Sequence, residues 1–283
     1  MLKYENDKIT HHKNEKVEYL TFKILDKYKD KIVHGIFLRH GGVSKNIYNS
    51  LNFRYAGEDD NLNVNKNIEI TLKTLNLKKA YKASQKHTSN ILELTDKNKD
   101  KYEANLINKE EYDSYIHVDE NIASIVTVAD CNPVIIYDPI KNIIANIHSG
   151  WAGTIKKIAI KTAETLVKKH GSKYEDLIIC IGPSISKCHF TSKEKEFKNK
   201  FTEKYYYIDE KEYIEYENDN LTFHIDLTYL IKYDLLKLGV KEKNIVISNI
   251  CTVCNNKDFF SYRVTTKNKE KDYGTMGVIV SKI

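Results

Sequence analysis

The run ASIVTVADCNPVIIYDPIKNIIANIHSGW, Ala123 to Trp151, decides the fold. ASIVTV, PVIIYD and NIIANIH are short apolar segments rich in β-branched residues, and polar links at Asp130-Cys131-Asn132 and Asp138-Pro139-Ile140-Lys141 interrupt them. They read as three strands in quick succession, and links this short predict neighbouring strands. After His148, the small residues of SGWAG lead into a helix carrying Ile155, Ile158, Ala159, Thr162 and Leu166 on one face, stopped by Gly171.

The flanking sequence continues the alternation. Upstream, a β-prone run ends at Arg39 before a Gly41-Gly42 turn, and Val64, Ile68, Leu72 and Leu75 recur at helical spacing, so residues 62–76 are expected to form an amphipathic helix capped by Asn61. Downstream, DLIICIG reads as a strand and the tyrosine-rich stretch from Ser192 to Asn220 as a helix plus a solvated hairpin. Asp226 caps a helix ending at Gly239, NIVISNI follows as a strand, and FFSYR and MGVIVSKI supply further strand. Residues 1–30 form a polar lead-in, whose apolar thread Val17, Tyr19, Leu20, Phe22 and Ile24 fits an edge strand.

Composition narrows the class. With 283 residues, 41% hydrophobic and 30% charged, the chain is long enough for a closed core and is neither disordered nor collagen-like. No apolar stretch approaches a membrane span and the N-terminus has no signal-peptide core, so a cytoplasmic protein without membrane partners is expected. The net charge of +6 is almost all lysine: only Arg39, Arg54 and Arg263 of the 45 basic residues are arginines. A solvated lysine surface explains that charge better than nucleic-acid binding, which would call on arginine forks or interleaved aromatics. The three arginines then mark places that need a planar, bidentate donor. Five cysteines, an odd number, do not make a secreted disulfide framework.

Three side chains at predicted element ends can ligate metal: His87 in SQKHTSN, Cys131 in VADCNP and His148 in NIHSGW. Two imidazoles and a thiolate suit Zn²⁺, and three protein ligands leave the fourth tetrahedral position open, as catalytic sites require. No local spacing ties the three together. Cys251-Thr252-Val253-Cys254 is a CxxC, open to reading as incidental thiols, a redox dithiol or half a zinc knuckle; a closed Cys₄ site would need Cys180 and Cys188 to converge with it. Neither GxGxxG nor a P-loop is present, so phosphate, if bound, must be held by arginine side chains and a helix start.

Six ordered motifs, RHGGVSKNIYNSLNF, QKHTSNI, ADCNPVIIYDP, IIANIHSGWAGT, IGPSISKCHF and CTVCNNKDFFSYR, resemble the YfiH-like proteins, also called laccase-domain or polyphenol-oxidase proteins, over residues 34–263. The resemblance implies a mixed α/β fold, one domain with central β-sheets flanked by helices, here 31–283. It puts a catalytic zinc on His87, Cys131 and His148. It also implies purine nucleoside phosphorylase activity on adenosine, inosine, guanosine and methylthioadenosine, with adenosine deamination, and nucleoside and phosphate as partners; the sequence does not fix the oligomeric state, and a monomer is expected. A cell-wall precursor (peptidoglycan) editing hydrolase is the alternative, as is a copper-dependent polyphenol oxidase. Ten histidines with no His-x-His pair argue against a multicopper centre. Arg39 and Arg263, with Asn52, are taken as the phosphate and substrate contacts and Asp130 as a proton carrier or strand-end cap, while Arg54, just outside its motif, is expected to pair with a carboxylate. The chain departs from the family pattern at Ala152, Ser186 and Val264-Thr265.

Overall fold

The computed structural model of the protein describes residues 2–104, 109–218 and 221–283. In chain order its strands are β1 (Ile9–Asn14), β2 (Val17–Phe22), β3 (Ile32–Phe37), β4 (Ala80–Tyr81), β5 (Ile91–Leu94), β6 (Ser114–His117), β7 (Ile122–Val128), β8 (Asn132–Asp138), β9 (Ile143–Ser149), β10 (Ile178–Ile181), β11 (Thr191–Ser192), β12 (Ile214–Tyr216), β13 (Phe223–Ile225), β14 (Ile245–Ile247) and β15 (Met276–Lys282). The helices are α1 (Asn61–Thr74), α2 (Trp151–Ile155), α3 (Ile158–His170), α4 (Lys195–Lys204), α5 (Glu210–Tyr213), α6 (Leu227–Lys237) and α7 (Tyr262–Lys267). One six-stranded sheet runs β1-β2-β3-β15-β7-β4, a second runs β14-β10-β8-β9-β6-β5, and β11-β13-β12 make a small third.

The two large sheets face each other, because their strands are apolar on both sides. Along β8, Ile135 and Tyr137 meet Val126, Val278 and Val280 of the first sheet, while Val134 and Ile136 point the other way, to Ala163 and Leu166 of α3 and Leu235 of α6. Val64, Ile68 and Leu72 of α1 cover the outer face of the first sheet. The result is a helix, sheet, sheet, helix layering, the mixed α/β single domain with flanked sheets that the motifs imply. Most of these side chains are fully buried, and burying one stabilises by about 1.5–3 kcal/mol.

Several local expectations change. β7 and β8 are not neighbours: only β8 and β9 pair, whereas β7 joins β15 and β4 in the other sheet. Asp130 in the link has φ +85°, and there the chain crosses between sheets; link length cannot distinguish a tight hairpin from a tight crossing. The helix after Trp151 is two helices, broken at Lys157, which has φ +63° and an ammonium bonded to Asp234 and Tyr207. FFSYR leads into α7 rather than a strand, with Ser261 accepting from Val264 N at 3.2 Å as its cap. Asp60, not Asn61, caps α1. β2 pairs on both sides and β1 takes the edge. The helix and hairpin of the tyrosine-rich stretch are α4 with β12 and β13; residues 219 and 220 lie outside the described residues.

Candidate active site and metal centre

Where β7 crosses to β8, Cys131 emerges at the mouth between the sheets, and β9, antiparallel to β8, brings His148 alongside it: Pro133 pairs with His148 and Asn132 with Ser149. His87 arrives from the loop after β4 with φ +55°, a left-handed conformation uncommon for histidine. The ligating atoms of His87, Cys131 and His148 all lie within 4.8 Å of one another, with Cys131 Sγ 3.6 Å from His87 Nε2. A tetrahedral zinc with Zn–S near 2.3 Å and Zn–N near 2.0–2.1 Å sets neighbouring S and N donors about 3.5 to 3.6 Å apart. The donor set therefore fits Zn²⁺. Gly150 is part of the same cradle: a Cβ there would stand 2.6 Å from His87 Cδ2 and 2.7 Å from Cys131 Sγ.

Asp113, which no local pattern marks in the sequence, organises this trio. It is fully buried just before β6. Its Oδ1 accepts from His148 Nδ1 at 2.7 Å and His87 N at 3.1 Å, and its Oδ2 accepts from Thr88 N at 2.6 Å and Thr88 Oγ1 at 2.7 Å. With Nδ1 committed to the carboxylate, His148 presents Nε2 to the mouth. Burial opposes ionisation of Asp113, but the His148 and Thr88 donors outweigh it and bring the carboxyl down to about 2. Burial likewise opposes a charged His148, but the Cys131 sulfur and Asp113 raise it to about 10, and the two histidines bring the Cys131 thiol down to about 7 against its own burial. Gln85 fixes the loop from the other side, accepting from Thr127 N at 2.8 Å and donating to Thr127 O at 2.9 Å.

The trio opens into a cavity of about 640 Å³. Its walls include the aromatic side chains of Trp151, Phe190, Phe197, Tyr262 and Tyr273, and two arginines, Arg54 and Arg263. Arg263 donates through Nη1 to the carbonyls of His189 at 2.8 Å and Thr191 at 3.3 Å. Arg54 donates through Nε to Asp272 at 3.2 Å, the expected carboxylate pairing, and through Nη1 to Tyr273 at 2.8 Å. Asp130 also lines the cavity, but its carboxylate accepts from Thr252 Oγ1 at 2.6 Å, Ser261 Oγ at 3.0 Å and Arg263 N at 2.7 Å. Burial pushes its pKa up despite these donors. The geometry makes Asp130 an anchor for the start of α7 and hence for Arg263.

Two expected contacts lie elsewhere. Arg39 does not line the cavity; its guanidinium donates to the carbonyls of Asn49 at 2.9 Å, Asn256 at 3.0 Å and Ile47 at 3.4 Å and covers the Phe260 ring, fastening three loop segments. Asn52 is fully buried, accepting from Arg54 N and Thr275 N at 3.0 Å each. Both are loop braces, and Arg54 takes the cavity position that the sequence reading assigns to Arg39. Of the departures from the family pattern, Ser186 sits in a turn that does not require positive φ, so glycine is not needed there. One helical turn beyond Ala152, Lys156 donates to the carbonyl of His87 at 2.6 Å.

Residues 33–282 match the family described as multi-copper polyphenol oxidoreductase laccase. The chain is 27% identical over 263 residues to the Bacillus subtilis (strain 168) purine nucleoside phosphorylase YlmD, 89% of this chain and 88% of that one. It is 30% identical over 222 residues to a purine nucleoside phosphorylase of Clostridium acetobutylicum, 76% of this chain and 82% of the other. The Bacillus licheniformis hypothetical protein YfiH shares the fold with a TM-score of 0.83 at 22% identity, over 93% of this chain and 96% of that one.

Proposed function

We propose that this chain, which belongs to the YfiH-like, multi-copper polyphenol oxidoreductase laccase family, is a zinc-dependent purine nucleoside phosphorylase. The observation that carries this reading is one cavity that joins an open three-ligand donor set, two arginines and aromatic walls. The names borne by its relatives support it.

His87 Nε2, Cys131 Sγ and His148 Nε2 would hold the ion, which supplies a Lewis acid with a free coordination position when bound. In phosphorolysis a phosphate oxygen bonds to ribose C1′ as the C1′–N9 bond breaks and the purine leaves. Arg54 and Arg263 each keep Nη2 without a hydrogen-bond partner among the described residues, so both can grip phosphate, orient the nucleophile and balance its charge. Trp151, Phe190 and Tyr273 give the cavity aromatic walls against which a purine can pack, and a stacked base is worth about 1–3 kcal/mol in nucleic-acid systems. Asp130 holds Arg263 in register. Adenosine, inosine, guanosine and methylthioadenosine are the proposed substrates, and adenosine deamination a second activity of the same cavity.

The family's description favours copper-dependent phenol oxidation as a second reading. A trinuclear cluster consumes many histidines, and the two donor groups found among the described residues contain only His87, His148 and His189. Incubating the metal-analysed protein with adenosine, with and without phosphate, separates these readings. Phosphate-dependent adenine and ribose 1-phosphate are expected, with phosphate-independent inosine reporting deamination. No nucleoside turnover by protein carrying zinc would overturn the reading and return the cavity to a hydrolase of cell-wall precursors; copper with phenol oxidation would support the laccase reading.

A further inference from the structure

Some distance along the chain from the catalytic trio, Cys188, His189, Cys251 and Cys254 bring four ligating atoms within 4.8 Å of one another. Cys188 Sγ is 3.8 Å from both Cys251 Sγ and Cys254 Sγ. His189 Nδ1 is 3.2 Å from Cys188 Sγ, 3.5 Å from Cys254 Sγ and 3.7 Å from Cys251 Sγ. In a tetrahedral zinc site with three thiolates and one imidazole, the edges between donors are about 3.8 Å for S to S and about 3.5 to 3.6 Å for S to N. These sulfur–sulfur separations match those edges and are far from the roughly 2.0 Å of a disulfide. Three thiolates and one imidazole around Zn²⁺ leave a site of net charge −1.

We propose that Cys188, His189, Cys251 and Cys254 form a second, closed Zn²⁺ site that is structural. Four protein ligands leave no open position, the distinction between structural and catalytic zinc. The site joins two loops at the same ends of the parallel strands β10 and β14, which also meet through a Ser184–Cys251 bridge. The loop it clamps carries Ile185 and Phe190 into the cavity wall, and the His189 carbonyl receives Arg263. A metal clip here sets the distance between that wall and the anchored start of α7. Binding releases the thiol protons of the three cysteines, so the free energy of metal binding becomes free energy of folding.

The test uses the full chain and zinc itself. A His87→Ala/Cys131→Ala/His148→Ala variant lacks the first donor set; elemental analysis should still find about one zinc per chain, by the four-ligand logic, and its X-ray absorption spectrum should show three sulfurs and one nitrogen around the metal. Adding Cys188→Ser/Cys254→Ser should remove that zinc. Because the added changes also remove the clip between the two loops, His189→Cys in the same background serves as the folding-competent control: it should keep the zinc with four sulfurs around it. A zinc-free first-site variant, a disulfide among the three cysteines in protein purified with zinc and reductant, or an absorption spectrum without a sulfur-rich shell would overturn the proposal.

Discussion

Asp113→Asn isolates what the buried carboxylate does for the metal trio. The substitution keeps the shape and replaces one acceptor oxygen by an amide donor. If the remaining oxygen faces His148 Nδ1 and His87 N, the amides of Thr88 and Lys86 lose their acceptor; if it faces Thr88, the loss falls on His148 and His87. Either orientation leaves two donors without their acceptor, at part-buried bonds for Lys86, His87 and Thr88 and a buried one for His148, and the loss reaches about 1–3 kcal/mol where the donor is buried. In the second, His148 can also relax to the tautomer with its proton on Nε2, which removes it as a ligand. Loss of an outer partner of this kind weakens metal binding by about 10- to 100-fold. Competitive titration against a zinc-binding dye reads the affinity, with release assigned to this site by its absence in Cys131→Ala, and circular dichroism confirms the fold. A folded Asp113→Asn protein with unchanged zinc affinity would refute the argument that this carboxylate orients the ligands.

Gly150→Ala places a methyl inside contact distance of both His87 and Cys131; it should retain the fold at a cost of about 1–3 kcal/mol and lose zinc, as elemental analysis beside a thermal melt would show, and full zinc occupancy would contradict it. Arg54→Lys and Arg263→Lys keep the charge but lose the fork, so the phosphate KM for phosphorolysis should rise roughly tenfold, the equivalent of about 1.4 kcal/mol, with little change in phosphate-independent deamination; Arg39→Lys should lower stability instead, and equal loss of both activities in the cavity variants would point to a folding role. His34 and His117 are buried and their pKa values fall to about 4, burial being the main cause. Each stays neutral in the folded state, so stability is complete above the ordinary histidine pKa near 6.5 and falls as pH drops from there toward 4, by up to about 1.4 kcal/mol per pH unit for each histidine. Urea unfolding at stepped pH measures the slope, and constant stability between neutral pH and pH 5 would disprove it.

The parts legible in the sequence are those decided by neighbours along the chain. Apolar runs of strand length marked β7, β8, β9, β10 and β15, and helical spacing marked α1 and α6, because burial of a strand or helix face imposes its period locally. That His87, Cys131 and His148 converge was legible from ligand chemistry and motif order. Which strand pairs with which was not: strands apolar on both faces fit either sheet, and only the three-dimensional packing puts β7 in one and β8 in the other, opening the mouth where Cys131 sits. The same holds for Asp113, whose five donors come from residues 25 to 35 positions away, and for the arginines, since motif position separates Arg39 from Arg54 but only tertiary folding decides which of them lines the cavity. Cys188 and His189 meet Cys251 and Cys254 for that reason too: β10 and β14 lie parallel and in register, so loops more than sixty residues apart leave the sheet at the same edge.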